Sequence, residues 1–407
     1  MNHANAASAV KTTHRRAKLI AAITLLAMPL IACSSGSGGA TDTIKIGMNL
    51  EMTGVASTLG PHALIAAEIA RDEINAAGGI DGRKVELVVS DNRSTPEQAT
   101  IAVNELSGKD VVAIMGPIQS TQATVAFPAT NRAKLVSMSP GSAKPGLTEE
   151  NRPWAFRDAL LDNQVAEGIV KELVDREGIQ RTGVVVDGRD AYSNNYGNVV
   201  LPAALKKHGV EVGKVLETES GQRDFSVEVT SLKRAGVDSI ALNTLFEDGA
   251  IFLKEAARQG LDVPIYGGAS MAVPQTTELA GKAAEGVYAG STFVATLDDP
   301  TVSAFVDEYT KRAKKELPQG SAQLPGYIDA GAYETIKLIA EAMKTANTES
   351  IDEQRSHVRD FLADVKGFQG LGTKIQVNAD GDAIKPIMIL QVQSGQFQRI
   401  ADVKVGQ

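Results

Sequence analysis

The sequence predicts an α/β chain of two parallel-sheet units, each doubly wound with helices on both faces. Three observations carry this: a strand-then-helix rhythm that runs twice along the chain, a length of 407 residues, and few aromatics (4 %) beside 38 glycines. Alternating strands and helices imply a parallel sheet, because each crossover helix must pack back onto it. A chain of this length divides, since a single hydrophobic core stops growing at roughly 250–300 residues. The small-residue composition suits helices packed closely on sheets better than an aromatic-rich β sandwich.

Residues 44–50 (IKIGMNL) alternate as a strand does, 61–77 place apolar residues at helical spacing, and 85–90 (VELVVS) form a second strand. Residues 96–107 follow as a helix, with Thr95 as its cap and Pro96 at the first helical position, where a missing N–H costs nothing. Residues 111–115 and 135–138 make two further strands. The rhythm restarts with helix 163–177, strand 182–186 (TGVVV), helix 194–208, strand 212–216, helix 225–235, strand 239–242, helix 247–259 and strand 263–266. From Pro300 the chain turns mostly helical, at 301–316, 328–346 and 351–365, and closes with strands at 373–377, 387–392 and 397–403. Asp380-Gly381 is a hairpin-type turn signal between the first two of these strands. Such a tail completes both units rather than building a third.

Ahead of the first strand, Lys11, Arg15, Arg16 and Lys18 precede the apolar run 19–32 (LIAAITLLAMPLIA), which ends at Cys33. Basic charge followed by about 14 apolar residues is the pattern of a signal peptide, and the run is shorter than the ~20 residues of a spanning helix. Leu30-Ile31-Ala32-Cys33 resembles the bacterial lipobox, which implies cleavage before Cys33 and lipid attachment to its sulfur. Cys33 is the only cysteine, so no disulfide forms within the chain. Residues 34–40 (SSGSGGA) are a flexible tether by composition. The expected organisation is therefore a signal peptide at 1–32 and a lipidated, tethered start at 33–43, holding the protein on the outer face of the cell membrane. Without residues 1–32, 37 basic groups stand against 49 acidic ones, a net charge of −12. That balance speaks against nucleic acid as a partner, because phosphate neutralisation takes a concentrated basic surface.

The stretches IARDEINAAGGIDGRKVELVVSDNRSTPEQA (69–99) and VVAIMGP (111–117) resemble the type I periplasmic binding proteins, in the leucine/isoleucine/valine-binding branch of importer-associated receptors. Further matches run in order to the C-terminus: Ser139-Pro140-Gly141, Trp154-Ala155-Phe156-Arg157, Asp187 with Ala191-Tyr192, Arg223-Asp224-Phe225-Ser226, Ala284-Glu285-Gly286-Val287 and Tyr327-Ile328-Asp329-Ala330. The resemblance implies two lobes joined by three crossing hinge segments, near 157–162, 291–293 and 384–387. Lobe one is then 44–160 plus 293–384, and lobe two 161–292 plus 385–407. It also implies capture of a branched-chain amino acid or similar small ligand, without a cofactor, for the permease and ATPase subunits of an ABC importer.

Ligands of parallel sheets sit beyond the carboxyl ends of the strands, where helix N-termini point. Strand 111–115 runs through Gly116-Pro117-Ile118-Gln119 into a helix at Ser120 and Thr121, so free N–H groups and a positive dipole end converge on a place suited to a carboxylate. The resemblance implies that Ser120 grips that carboxylate, with Thr121 beside it. After strand 135–138, relatives carry a ligand-touching threonine where this chain has Ala143, leaving Ser142 or backbone groups in its place. From lobe two the resemblance implies that Tyr192 closes over the ligand. Leu245 and Phe246, after strand 239–242, either line the apolar part of the pocket or staple the start of their helix. Amino-acid-binding relatives place an acid after the strand matching 263–266, but here Ala269 occupies that position. A buried ammonium without a partner is costly. Either Glu51, Glu247 or Asp248 supplies the charge, or the ligand is a carboxylate without an α-ammonium, such as a keto or aromatic acid.

An enzyme is disfavoured: the chain beyond residue 32 has three histidines, His62, His208 and His357, far apart in sequence, and carries neither a nucleophile elbow nor a P-loop. A DNA-binding regulator of the same fold begins with a helix-turn-helix, whereas this chain begins with an export pattern. A lipoprotein that passes its signal to a membrane receptor is an open alternative to an import receptor.

Overall fold

The computed structural model describes residues 43–159 and 161–403. The expected signal peptide, Cys33 and the 34–40 tether lie outside the described residues.

The first unit is a wholly parallel sheet. Its strands are β1 (Thr43–Leu50), β2 (Lys84–Asp91), β3 (Ala113–Met115), β4 (Ser137–Ser139) and β5 (Ala155–Arg157), arranged β2-β1-β3-β4-β5. The crossovers are helices α1 (Leu59–Ala76), α2 (Pro96–Ser107) and α3 (Ser120–Ala133). Alternation along β1 and β3 decides which helix covers which face. Ile46, Met48 and Met115 join α1 in one apolar cluster, while Ile114 joins Val103 and Leu106 of α2 and Ala126 of α3 in another. Thr95 caps α2 through its side chain, which accepts from the Gln98 N–H.

The second unit holds α4 (Asp162–Glu177), β6 (Arg181–Asp187), α5 (Ala191–Asn195), α6 (Leu201–Lys207), β7 (Glu211–Thr218), α7 (Ser226–Ala235), β8 (Ser239–Asn243), α8 (Phe246–Arg258), β9 (Ile265–Gly267), α9 (Pro274–Ala280) and β10 (Tyr288–Ser291). The chain then returns to the first unit with α10 (Pro300–Glu316), α11 (Tyr327–Met343) and α12 (Ile351–Ala363), where α10 and α11 pack on α1. A small antiparallel sheet follows, of β11 (Lys366–Gln369), β12 (Lys374–Val377) and β13 (Ala383–Ile384). Finally β14 (Ile387–Gln393) and β15 (Gln396–Val403) complete the second sheet, in the order β15-β14-β10-β9-β8-β6-β7. Five of its strands are parallel, as the rhythm predicts. The added pair is antiparallel, because the turn at Ser394-Gly395, both at positive φ, folds β15 directly back on β14.

The chain thus passes between the sheets three times: between β5 and α4, between β10 and α10, and between β13 and β14. Buried charges tie the first and third crossings together. Arg157 Nε donates to Asp382 Oδ1 at 2.6 Å, and Lys385 Nζ lies 2.5 Å from Asp158 and 2.7 Å from Glu334 of α11. Two details differ from the sequence reading. The predicted helix 194–208 starts earlier, at Ala191, and is interrupted by a π-turn at Tyr196–Val200. Strands β5, β10, β11 and β13 are two to four residues long, too short to carry a periodic signal.

Candidate functional site

The carboxyl ends of both parallel sheets face one cleft, and between them lies a small cavity. Leu59, Ile118, Ser120, Gly141, Tyr327 and Ile328 line it from the first unit, and Asp190, Tyr192, Leu245, Phe246, Ser270 and Val273 from the second. Four of these residues are the first of their helices: Leu59 of α1, Ser120 of α3, Phe246 of α8 and Tyr327 of α11. Each helix start carries roughly half a positive charge from its unpaired N–H groups. Four such ends reach a space whose wall is apolar apart from Gln119, Ser120, Asp190, Ser270 and the hydroxyls of Tyr192 and Tyr327.

The units touch across this cleft. Thr121 Oγ1 donates to Asp190 Oδ2 at 2.9 Å and accepts from the Ala191 N–H at 3.0 Å. Thr58 Oγ1 donates to Glu247 Oε1 at 3.1 Å. Asp190 uses its other oxygen to cap α5, accepting from the N–H and hydroxyl of Ser193 at 2.8 and 2.9 Å. Burial nonetheless raises its pKa, because these hydrogen bonds do not make up for lost hydration.

Asp162, the first residue of α4, is fully buried, and neither of its carboxylate oxygens has a hydrogen-bond partner. Burial pushes its pKa well above the ordinary carboxylate range; the positive charge of Arg157 opposes that shift and Asp190 reinforces it. Its charge in turn acts on Tyr192, Tyr196 and Tyr327, whose hydroxyls are pushed upward chiefly by burial. An ionised carboxylate in that position lacks the partners it would have in water, so burial favours its protonated form.

Of the residues predicted from sequence, Ser120, Tyr192 and Phe246 lie on the cavity wall. The Ser120 hydroxyl also accepts from the Lys144 N–H at 3.2 Å, so it joins two loops of the first unit. Tyr192 stacks at 5.9 Å on Tyr196, and its hydroxyl accepts from the Ser270 N–H. Gly268 makes room for it, since a Cβ there would collide with the tyrosine hydroxyl. Thr121 sits beside the cavity and spends its hydroxyl on the bridge to Asp190. Ser142, Ala143 and Ala269 are buried outside the lining. Ser142 is held against the Ile118 carbonyl at 3.2 Å, and Ala269 opens a tight turn that ends at Met271.

The acids considered as replacements for the missing carboxyl at Ala269 are engaged elsewhere. Glu51 accepts the N–H groups of Ile118 and Gln119, both at 3.2 Å, and burial pushes its pKa up to about 7. Glu247 accepts from Thr58, and Asp248 from the Gly221 N–H. Asp162 and Asp190 were not singled out from the sequence. The only signal was their position, Asp162 at a predicted crossing and Asp190 just before the tyrosine motif. The helix starts at Leu59 and Tyr327 were also missed, because more than 50 residues separate each of them from the other lining segments in sequence. No cluster suited to a metal ion is present among the described residues, and no helix among them is long and apolar enough to cross a membrane.

The family model described as periplasmic binding protein matches residues 43–396. The chain is 26 % identical over 336 residues to a leucine-, isoleucine-, valine-, threonine- and alanine-binding protein of Pseudomonas aeruginosa, covering 83 % of this chain and 86 % of that one. It is 25 % identical over 346 residues to the Leu/Ile/Val-binding protein of Escherichia coli, covering 83 % and 92 %. Among solved structures, a branched-chain amino acid transporter substrate-binding protein of Streptococcus pneumoniae in complex with isoleucine superposes with a TM-score of 0.79 at 25 % identity, covering 89 % of this chain and all of that one. A solute-binding protein of R. palustris in complex with benzoate shares the fold, with a TM-score of 0.78 at 16 % identity, covering 89 % and 96 %. The two parallel-sheet lobes, the three crossings and the match over nearly all described residues make this chain a member of the type I periplasmic binding proteins, in the branch of the Leu/Ile/Val-binding proteins.

Proposed function

We propose that this protein is the extracytoplasmic receptor of an ABC importer, capturing a small aliphatic amino acid by closure of lobe one (44–160 plus 293–384) on lobe two (161–292 plus 385–407). The observation that carries this reading is the cavity itself: a largely apolar space walled by both lobes, with four helix starts and Asp190 in its lining and the buried Asp162 close to Asp190. The ligand carboxylate meets Ser120 and the N–H groups around it. Its ammonium pairs with Asp162 and Asp190, which take over from the acid that relatives carry where Ala269 stands. Tyr192, Leu245 and Phe246 enclose the side chain. Lipid on Cys33 anchors the receptor at the outer face of the membrane, and the closed form is what the permease and ATPase subunits read.

Ligand that binds only the folded, closed protein stabilises it by mass action, by about 2.7 kcal/mol at a hundredfold excess over Kd, and so raises its melting temperature. A thermal-shift panel of leucine, isoleucine, valine, their keto acids and benzoate tests the reading. Stabilisation by the amino acids and none by the keto acids is the expected result; an equal response to deaminated analogues refutes it. One observation favours a second reading, a carboxylate without ammonium: no acid follows β9, where Ala269 stands. That reading expects benzoate or the keto acids to stabilise most. Metabolic labelling with a fatty acid, compared between wild type and Cys33→Ser, tests the anchor.

A further inference from the structure

The ligand cavity is not the only space between the lobes. A second pocket, open to solvent at exposed Thr58, Leu279 and Pro318, lies against it, walled by Pro61 and His62 of α1, Leu279 of α9, and Leu317 and Ala322 of the loop after α10. Phe246 lines both spaces, and it is the residue their walls share. The boundary continues through α1, where Leu59 faces the inner cavity and Thr58, its neighbour, faces the second pocket. Beside the ring, Thr58 bonds across the cleft to Glu247, so the partition is fastened at the point where the lobes meet. The ring is buried, at 3 % exposure, and no other aromatic ring stacks on it among the described residues.

We infer that Phe246 is the specificity-determining partition of this receptor: its ring ends the ligand cavity and sets the longest side chain that the closed form accepts. The second pocket behind it is the space into which a longer apolar tail extends when the ring is absent. Pro61, Leu279, Leu317, Pro318 and Ala322 give it an apolar stretch for such a tail, beside the polar Ser57, Thr58, Gln275, Glu278 and Ser321. His62 stays neutral, because burial lowers its pKa to about 4 and its Nδ1 lies 2.8 Å from the Tyr309 hydroxyl. An apolar pocket discriminates by about 10–200-fold per methylene group that it fills or refuses. Shortening one side chain is therefore enough to move a cut-off in chain length.

The inference rests on the reading of the cavity as a ligand site, and its test separates the two. Calorimetric titration of wild type, Phe246→Leu and Phe246→Ala uses valine, leucine, 2-aminohexanoate, 2-aminooctanoate and 2-aminodecanoate, with the matching alkanoates in parallel. Wild type and Phe246→Leu are expected to lose affinity by tenfold or more beyond about six carbons. Phe246→Ala is expected to bind the eight- and ten-carbon ligands at least tenfold better than wild type does. The same cut-off in all three proteins overturns the inference. If wild type binds neither series, the ligand reading fails, and 8-anilinonaphthalene-1-sulfonate still decides the partition. Saturable fluorescence enhancement in Phe246→Ala alone supports a ring that separates two spaces, and an equal response in all three variants overturns it.

Discussion

Ser120 and Asp162 show how much of this site depends on single atoms. The Ser120 hydroxyl stands at the start of α3, on the cavity wall, and accepts from the Lys144 N–H. A hydrogen bond to a charged ligand group contributes about 1.5–3 kcal/mol, so Ser120→Ala is expected to weaken leucine binding by roughly 10- to 100-fold in calorimetric titration. Asp162 acts through charge. Its folded pKa is raised, so the folded state holds a proton that the unfolded chain releases. Its contribution to stability is therefore lost as pH rises from the ordinary carboxylate value of 3.8 toward the raised one. Asp162→Asn keeps the shape and removes the titration. Its ligand-free stability, followed by urea melts from pH 4 to 8, is expected to decline less with pH than that of wild type. The same variant is expected to bind leucine at least tenfold more weakly while leaving any keto-acid affinity unchanged, as fits loss of a charged partner.

At the scale of elements, the site is a set of loop-to-helix junctions, and their local chemistry is legible in the chain. Thr95 before Pro96 marks the start of α2, and the structure shows the Thr95 side chain accepting from the Gln98 N–H. Thr95→Ala is expected to cost about 1 kcal/mol in chemical denaturation with ligand affinity unchanged, because α2 lines no part of the cavity. The junction at β9 behaves differently. Gly268 has an ordinary negative φ, so its role is clearance rather than conformational freedom: it lets the Tyr192 hydroxyl approach. Gly268→Ala is expected to push Tyr192 off its place and lower ligand affinity by about tenfold, read by calorimetry against unchanged far-ultraviolet circular dichroism. The π-turn at Tyr196–Val200 lies one turn beyond Tyr192, the kind of interruption that often falls at functional sites.

For the whole molecule, the crossings hold the charge that the core would otherwise reject. Lys385 at the third crossing neutralises Asp158 at the first and Glu334 on α11, all three buried. Lys385→Met leaves two acids facing each other without a cation and is expected to destabilise the protein by about 3–5 kcal/mol in urea unfolding. Closure depends on a lighter contact, the Thr121–Asp190 bridge. Thr121→Val removes a hydrogen bond worth about 1 kcal/mol and is expected to reduce affinity about fivefold, with the unliganded scattering profile unchanged.

By itself the sequence determined the α/β class, the two units, the order of the long helices and strands, and family membership. Those follow from local signals: the apolar period of α1 or β1, the Thr95-Pro96 cap, and motifs carried in contiguous residues. Its resemblance also pointed to Ser120 and Tyr192, and position after a strand to Phe246, and the structure brings all three to one cavity from opposite units. Only the tertiary structure decided what else stands around them. That Leu59, Ser120, Phe246 and Tyr327, the first residues of four helices, line one cavity is a property of how the sheets face each other, and no spacing along the chain encodes it. That Asp162 is buried with unpartnered oxygens depends on Arg157, Asp190 and the surrounding tyrosines, which come from separate segments. Local periodicity records which face of an element is apolar. Burial and charge at the cleft are sums over elements brought together by the fold, and they exist only once the chain has closed on itself.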